Sequence, residues 1–151
     1  MESTDVLVIG SGIAGLCAAI EAARTGATVT VASAGKTMSG SSFFPGTWGL
    51  GLIGPVNEDD EQDLIDTILA VGGGVADPEL VQTFVHGIRQ AIDWLEQDLG
   101  VELQRPQSAK SAQQKQFIPC FDHKTRMWRG LTRKPLEDAL TTWIESLGIR
   151  L

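Results

Sequence analysis

Asp5-Val6-Leu7-Val8-Ile9-Gly10-Ser11-Gly12-Ile13-Ala14-Gly15 is an aliphatic run followed by glycines at the spacing G-x-G-x-x-G. The run Asp5 to Ile9 is continuous and β-branched, the pattern of a parallel strand buried on both faces. Ile13 to Thr25 then reads as a helix whose Ala14, Ala18, Ala19, Ala22 and Ala23 let it approach a sheet closely, and Gly26 stops it. Thr28 to Ala32 is a second strand. Strand, helix and strand within about thirty residues make a right-handed βαβ unit.

The glycines gain a mechanism from this context, because they leave a strand and open a helix. Gly10 permits the tight turn, Gly12 lets a pyrophosphate approach the backbone, and Gly15 lets helix and strand pack closely. The N–H groups of Ile13 and Ala14 belong to the helix end, where free donors and the positive dipole end favour phosphate. A tight turn without a ligand would also use glycines, but it needs neither this spacing nor this placement. Ser33, followed by Ala34, stands where an Asp or Glu holds the ribose in an NAD site, and no Arg follows to take an NADP phosphate. The nicotinamide nucleotides are therefore disfavoured, and a site built on hydroxyl and backbone contacts is expected.

Residues 5–33, DVLVIGSGIAGLCAAIEAARTGATVTVAS, with residues 35–51, GKTMSGSSFFPGTWGLG, resemble the N-terminus of the succinate dehydrogenase, fumarate reductase and L-aspartate oxidase flavoprotein family. The resemblance implies FAD as cofactor, a Ser or Thr after the second strand as at Ser33, and a small-residue segment at Gly40-Ser41-Ser42 running along the FAD. It also brings the following segment to the flavin ring. There the family carries Ala-Gln-Gly-Gly, whereas this chain has Pro45-Gly46-Thr47-Trp48-Gly49, so Gly46, Thr47 and Trp48 are expected at the flavin end. Members that bind FAD covalently use a His in this segment. None lies between Met1 and Phe84, which implies non-covalent FAD.

Beyond Ser33 the chain to Val56 is glycine-rich and shows no sustained period, although Phe43, Phe44, Trp48, Leu50, Leu52 and Ile53 argue for order. A helix with an acidic first turn carries Leu64, Ile65, Ile68 and Leu69 and ends at Gly72-Gly73-Gly74. The next is capped by Asp77 with Pro78 in its first turn, and has one apolar stripe of Leu80, Val81, Phe84, Val85, Ile88, Ala91, Ile92, Leu95 and Leu99 up to Gly100. Val101 to Leu103 suits a short strand, and Gln104 to Gln116 a mobile loop. A last helix near Pro135 carries Leu136, Leu140, Trp143, Ile144 and Leu147, and Ile149-Arg150-Leu151 begins a strand.

The expected architecture is α/β, a Rossmann-like FAD-binding parallel sheet with a βαβ start and a helical excursion, in a truncated domain. Residues 1–55 would form the first part of the FAD-binding domain, 56–116 the helical excursion and loop, and 117–151 the return. The resemblance implies that substrate-gripping residues and the second half of the FAD site lie beyond Leu151, so no catalytic residue is nominated and the segment alone is expected to be inactive.

Composition narrows the partners. A formal charge of −7 opposes nucleic acid, whose binding needs a basic surface. The stretch Gly49 to Val56 is far shorter than the roughly 20 apolar residues needed to span a bilayer, so no membrane insertion is expected. Cys17 and Cys120 form no zinc or disulfide pattern, and no metal is expected. The acidic start, the reduced thiols and the lack of a basic leader fit a cytoplasmic setting. A small-molecule substrate is expected, and a homo-oligomer or a partner subunit stays open.

Other residues invite a functional reading and have plainer ones. The basic group His123, Lys124, Arg126, Arg129, Arg133 and Lys134 could gather an anion, or pair with nearby acids. Trp94, Trp128 and Trp143 could stack on a flavin, but Trp94 and Trp143 fall on or beside apolar helix faces. Cys17 reads as core, Cys120 as a packed or idle thiol, and His86 as structural. The function expected is an FAD-dependent oxidoreductase in which the flavin exchanges hydride with a small organic acid; the alternative is a nucleotide-binding or interaction module without redox activity of its own.

Overall fold

The structure, a computed structural model, describes residues 3–43, 50–105 and 126–151, which fall into two compact units. The first comprises residues up to Leu50 and from Thr132 onward; the second is Gly51–Leu131.

The first unit begins with the expected βαβ. Strand β1 (Val6–Ile9) pairs in parallel with β2 (Val29–Ala32) in the register Val6 to Val29 through Ile9 to Ala32, and helix α1 (Ile13–Arg24) joins them. Asp5 locks the start of the register by accepting from the Thr28 amide at 2.8 Å and from the Thr28 hydroxyl. Two hydrogen bonds from Thr28 hold its carboxyl below the usual carboxylate range. Helix α1 ends where Gly26 turns left-handed (φ 93°) and the Thr25 hydroxyl donates to the Ala22 carbonyl.

Parallel pairing sets Val6 and Val8 on the same face as Val29 and Val31. Leu16, Ala19, Ile20 and Ala23 of α1 are buried, and each large aliphatic side chain so buried contributes about 1.5–3 kcal/mol. Helix α4 (Arg133–Ser146) packs on α1 and buries Leu136, Leu140 and Ile144. The sequence predicts burial of both faces of β1, but Leu7 is 55% and Ile9 77% exposed. A continuous aliphatic run carries no marker that distinguishes its two faces, and here α1 covers one of them.

The expected strand at 149–151 is present as a parallel bridge between Arg150 and Thr30. Val31 donates to the Arg150 carbonyl at 2.7 Å, and Arg150 donates to that of Val29 at 3.1 Å. Trp143 is half-buried rather than core, and the Arg24 guanidinium lies 5.4 Å from its ring centroid.

Strand β3 (Leu50–Gly54), which from Gly51 onward belongs to the second unit, pairs with β4 (Met127–Leu131). Neither strand shows a period in the sequence, because glycines interrupt β3 irregularly and β4 contains Arg129 and Gly130. The Trp128 indole explains two of those glycines: a Cβ on Gly51 would stand 2.8 Å from its Nε1, and one on Gly130 would overlap its six-membered ring. Trp128 thus lies against the sheet's own backbone.

Helix α2 (Glu58–Val71) has a reciprocal cap: Asn57 accepts from the Asp60 amide at 2.9 Å while the Asp60 carboxylate accepts from the Val56 amide at 2.8 Å. Helix α3 (Pro78–Asp93) is capped by Asp77, as its sequence predicts. It continues as a π-helical turn over Trp94–Asp98, with the Leu99 amide donating to the Trp94 carbonyl. Val81, Val85, Ile88, Ile92, Leu95 and Leu99 are buried, but Leu80 and Phe84, assigned to the same stripe, are 68% and 61% exposed, and Ala91 is exposed too. The stripe is narrower than the run of apolar residues suggests.

Residues 101–103 form no strand; Val101 and Leu103 are buried and Gln104 makes one antiparallel bridge to Gly130. Arg105, expected in a mobile loop, is held by both Glu96 oxygens at 2.6 and 2.7 Å. The remainder of that loop lies outside the described residues, as do His123, Lys124 and Cys120.

Candidate nucleotide site at the first turn

Three segments of the first unit converge where β1 gives way to α1. At Gly10 φ is 106°, a value that L side chains rarely adopt, and its amide continues the ladder to the Ala32 carbonyl at 2.7 Å. Gly12 is the N-cap of α1 and leaves the helix without a side-chain cap. The first turn, Ile13, Ala14 and Gly15, contains no acid to compete for its amide groups. Gly15 is compelled by packing: a Cβ there would fall on the Gly10 carbonyl oxygen and 3.4 Å from Cγ1 of Val8.

Ser33 and Ala34 follow β2 and are exposed. The third segment returns to α1 through two left-handed residues, Met38 (φ 56°) and Gly40 (φ 108°). A Cβ on Gly40 would stand 4.0 Å from Cα of Gly12, and one on Gly12 would stand 3.5 Å from the Ser39 carbonyl oxygen. A 3₁₀ turn, Ser41–Phe43, anchors this segment by burying Phe43, and leaves Ser41 exposed and Ser42 half-buried. The structure therefore brings Gly10, Gly12, Ile13, Ala14, Gly15, Gly40, Ser41 and Ser42 together around the start of α1, with Ser33 and Ala34 at the end of the adjoining strand. Gly46, Thr47 and Trp48 lie outside the described residues.

Ser11 is the residue that the sequence reading passed over. It is 2% exposed, and its hydroxyl donates to Oγ of Ser33 at 2.9 Å. Its signal was slight, a hydroxyl between two fingerprint glycines.

The arrangement suits a pyrophosphate. An uncapped helix end offers amide donors and the positive end of a dipole, and only ordinary van der Waals contact crowds the position a Gly12 side chain would take. Three described members of the basic group pair with acids. Arg126 is buried against Asp60 and, at 2.9 Å, Asp63, while Arg133 and Lys134 pair with Glu137 and Asp138 one turn along α4. No group of His, Cys, Asp and Glu with metal-site geometry occurs among the described residues.

A βαβ unit with this turn defines a dinucleotide-binding domain. Residues 5–145 match the FAD binding domain family, and the chain belongs to it; its cofactor is FAD. Similar proteins include the L-aspartate oxidase of Halobacterium salinarum, 45% identical over 66% of this chain and 19% of the relative, and that of Mycobacterium bovis, 34% identical over 61% and 18%. The vinyl phenol reductase of Lactiplantibacillus plantarum is 26% identical over 99% of this chain and 29% of its own length. The chain thus spans less than a third of the length of these relatives. Among the described residues no helix is long and apolar enough to cross a membrane.

Proposed function

We propose that this chain is the N-terminal FAD-holding part of a cytoplasmic flavoprotein oxidoreductase that acts on a small organic acid and holds its FAD without a covalent bond. The observation that carries the reading is the uncapped, acid-free N-terminus of α1 beneath Gly12, within a chain matched to the FAD binding domain family over residues 5–145. The relatives named for L-aspartate oxidation support an acid as substrate.

The residues divide the work. Amides of Ile13 and Ala14 would hold the pyrophosphate, Gly12 would admit it to the backbone, and Ser33 would meet the adenosine ribose. Gly40, Ser41 and Ser42 would line the path toward the flavin, and Gly46, Thr47 and Trp48 its ring end. Bound FAD supplies hydride exchange with the substrate, while the protein supplies position and electrostatics.

The test is the absorbance spectrum of the purified full-length parent protein, followed by heat release of its chromophore, chromatography against FAD and FMN, and a screen of small carboxylic acids for flavin bleaching. Released FAD that is bleached by an acid supports the reading. FAD that stays with the denatured protein contradicts the non-covalent assignment. Bleaching by neutral alkenes or alcohols alone overturns the substrate class.

A further inference from the structure

Ser11 lies between two glycines of the phosphate-binding turn, yet its side chain points away from solvent. Its Oγ is 2.9 Å from Oγ of Ser33 and 3.4 Å from the Lys36 carbonyl oxygen. A hydroxyl has one proton to donate and two lone pairs. Of these two acceptors only Ser33 is within the ordinary O–H···O range, which ends near 3.0 Å.

Burial settles which serine donates. Ser11 is 2% exposed and its one other acceptor, the Lys36 carbonyl, stands 3.4 Å away, so its proton is best satisfied by Ser33, whereas Ser33 is exposed and can direct its own proton outward. On its other side Ser33 Oγ accepts from the Gly35 amide at 3.5 Å, a weak contact that engages a second lone pair. The Ser33 proton is then what remains for a ligand. An Asp or Glu at this position accepts from ribose hydroxyls; Ser33 has the opposite polarity.

We infer that Ser11 is a positioning residue that orients Ser33 as a hydrogen-bond donor to a ribose oxygen of the bound nucleotide. The same bond ties the turn after β1 to the end of β2, so the phosphate and ribose ends of the site are set by one contact. This rests on the FAD reading above.

The test measures dissociation constants of FAD, ADP and 2′,3′-dideoxy-ADP for the wild-type protein, Ser11→Ala, Ser33→Ala and the double variant. The ratio of the two ADP constants is read within one preparation, so it does not depend on the fraction folded. Wild type should prefer ADP over the dideoxy form by about tenfold, the worth of one hydrogen bond. Ser33→Ala should abolish the preference, Ser11→Ala should reduce it to about threefold or less, and the second substitution should add nothing to the first. A Ser11→Ala protein that keeps the wild-type ratio, or losses that add independently in the double variant, overturns the inference. A wild type that binds FAD without distinguishing the two ADP forms overturns it while leaving the FAD reading intact, and a wild type that ignores FAD overturns both.

Discussion

The α-carbon of Gly15 faces the carbonyl of Gly10 so closely that a methyl group on Gly15 would overlap that oxygen and stand 3.1 Å from the carbonyl carbon. The contact is backbone, so no side-chain rotation relieves it. Gly15→Ala should push α1 off β1, lower stability by about 1–3 kcal/mol as overpacking does, and weaken FAD binding in parallel. Chemical denaturation with FAD titration checks this, and an unshifted midpoint would show that α1 does not sit as described.

Arg126 should matter to stability rather than to ligand binding. Its guanidinium is fully buried against Asp60 and Asp63, and Asp60 also caps α2. Arg126→Met leaves the Asp60 carboxylate only 14% exposed and without its cation. Asp63 is 40% exposed and can rehydrate, so the expected loss is about 2–3 kcal/mol, below the full cost of breaking a buried pair. The urea midpoint would register it.

Asp5 ties the two parallel strands through Thr28, and its carboxyl is held below the ordinary value of 3.8 by those hydrogen bonds. A depressed carboxyl stabilises the fold above the unfolded-state value and loses that contribution as pH falls through the folded one. Asp5→Asn should therefore unfold more easily than wild type near neutrality, with the difference closing below about pH 4. Parallel acid and neutral melts decide it.

Cys17 is half-buried in α1, and burial, with Glu21 adding, pushes its thiol from 9.0 up to about 11. In a Cys120→Ser background its labelling by a disulfide reagent at pH 8 should be on the order of a hundred times slower than that of an unperturbed thiol, from thiolate fraction alone. The raised value also means that the thiol's contribution to stability is intact below about 9 and is lost as pH rises toward about 11.

These contrasts show where the sequence could be read. The turn Gly10 to Gly15 was legible because its chemistry needs particular residues at fixed spacing, and the Asp77 cap because capping is local. Strand β3 was hidden because its glycines make room for side chains far away in the chain, Gly51 for Trp128 and Gly54 for Ile88, and β4 because Gly130 makes room for the same Trp128 ring. Arg126 looked like part of a surface cluster, since nothing nearby in sequence reveals that Asp60 and Asp63 lie against it. The exposed Leu7, Ile9, Leu80 and Phe84 show that apolar character predicts an element better than it predicts what covers it.

The proposed placement of FAD at the start of α1 is best tested at Gly12. A methyl there meets only the Ser39 carbonyl oxygen at ordinary distance, and φ of −74° suits any residue, so Gly12→Ala should fold with a stability loss of about 1 kcal/mol or less from the poorer cap. The same methyl would occupy the approach of the pyrophosphate. Calorimetric titration of FAD into the two apoproteins should show the variant's affinity reduced by roughly a hundredfold, on the order of 3 kcal/mol, with its melting behaviour nearly unchanged. Equal FAD affinity in a well-folded Gly12→Ala protein would contradict the claim and move the cofactor away from this turn.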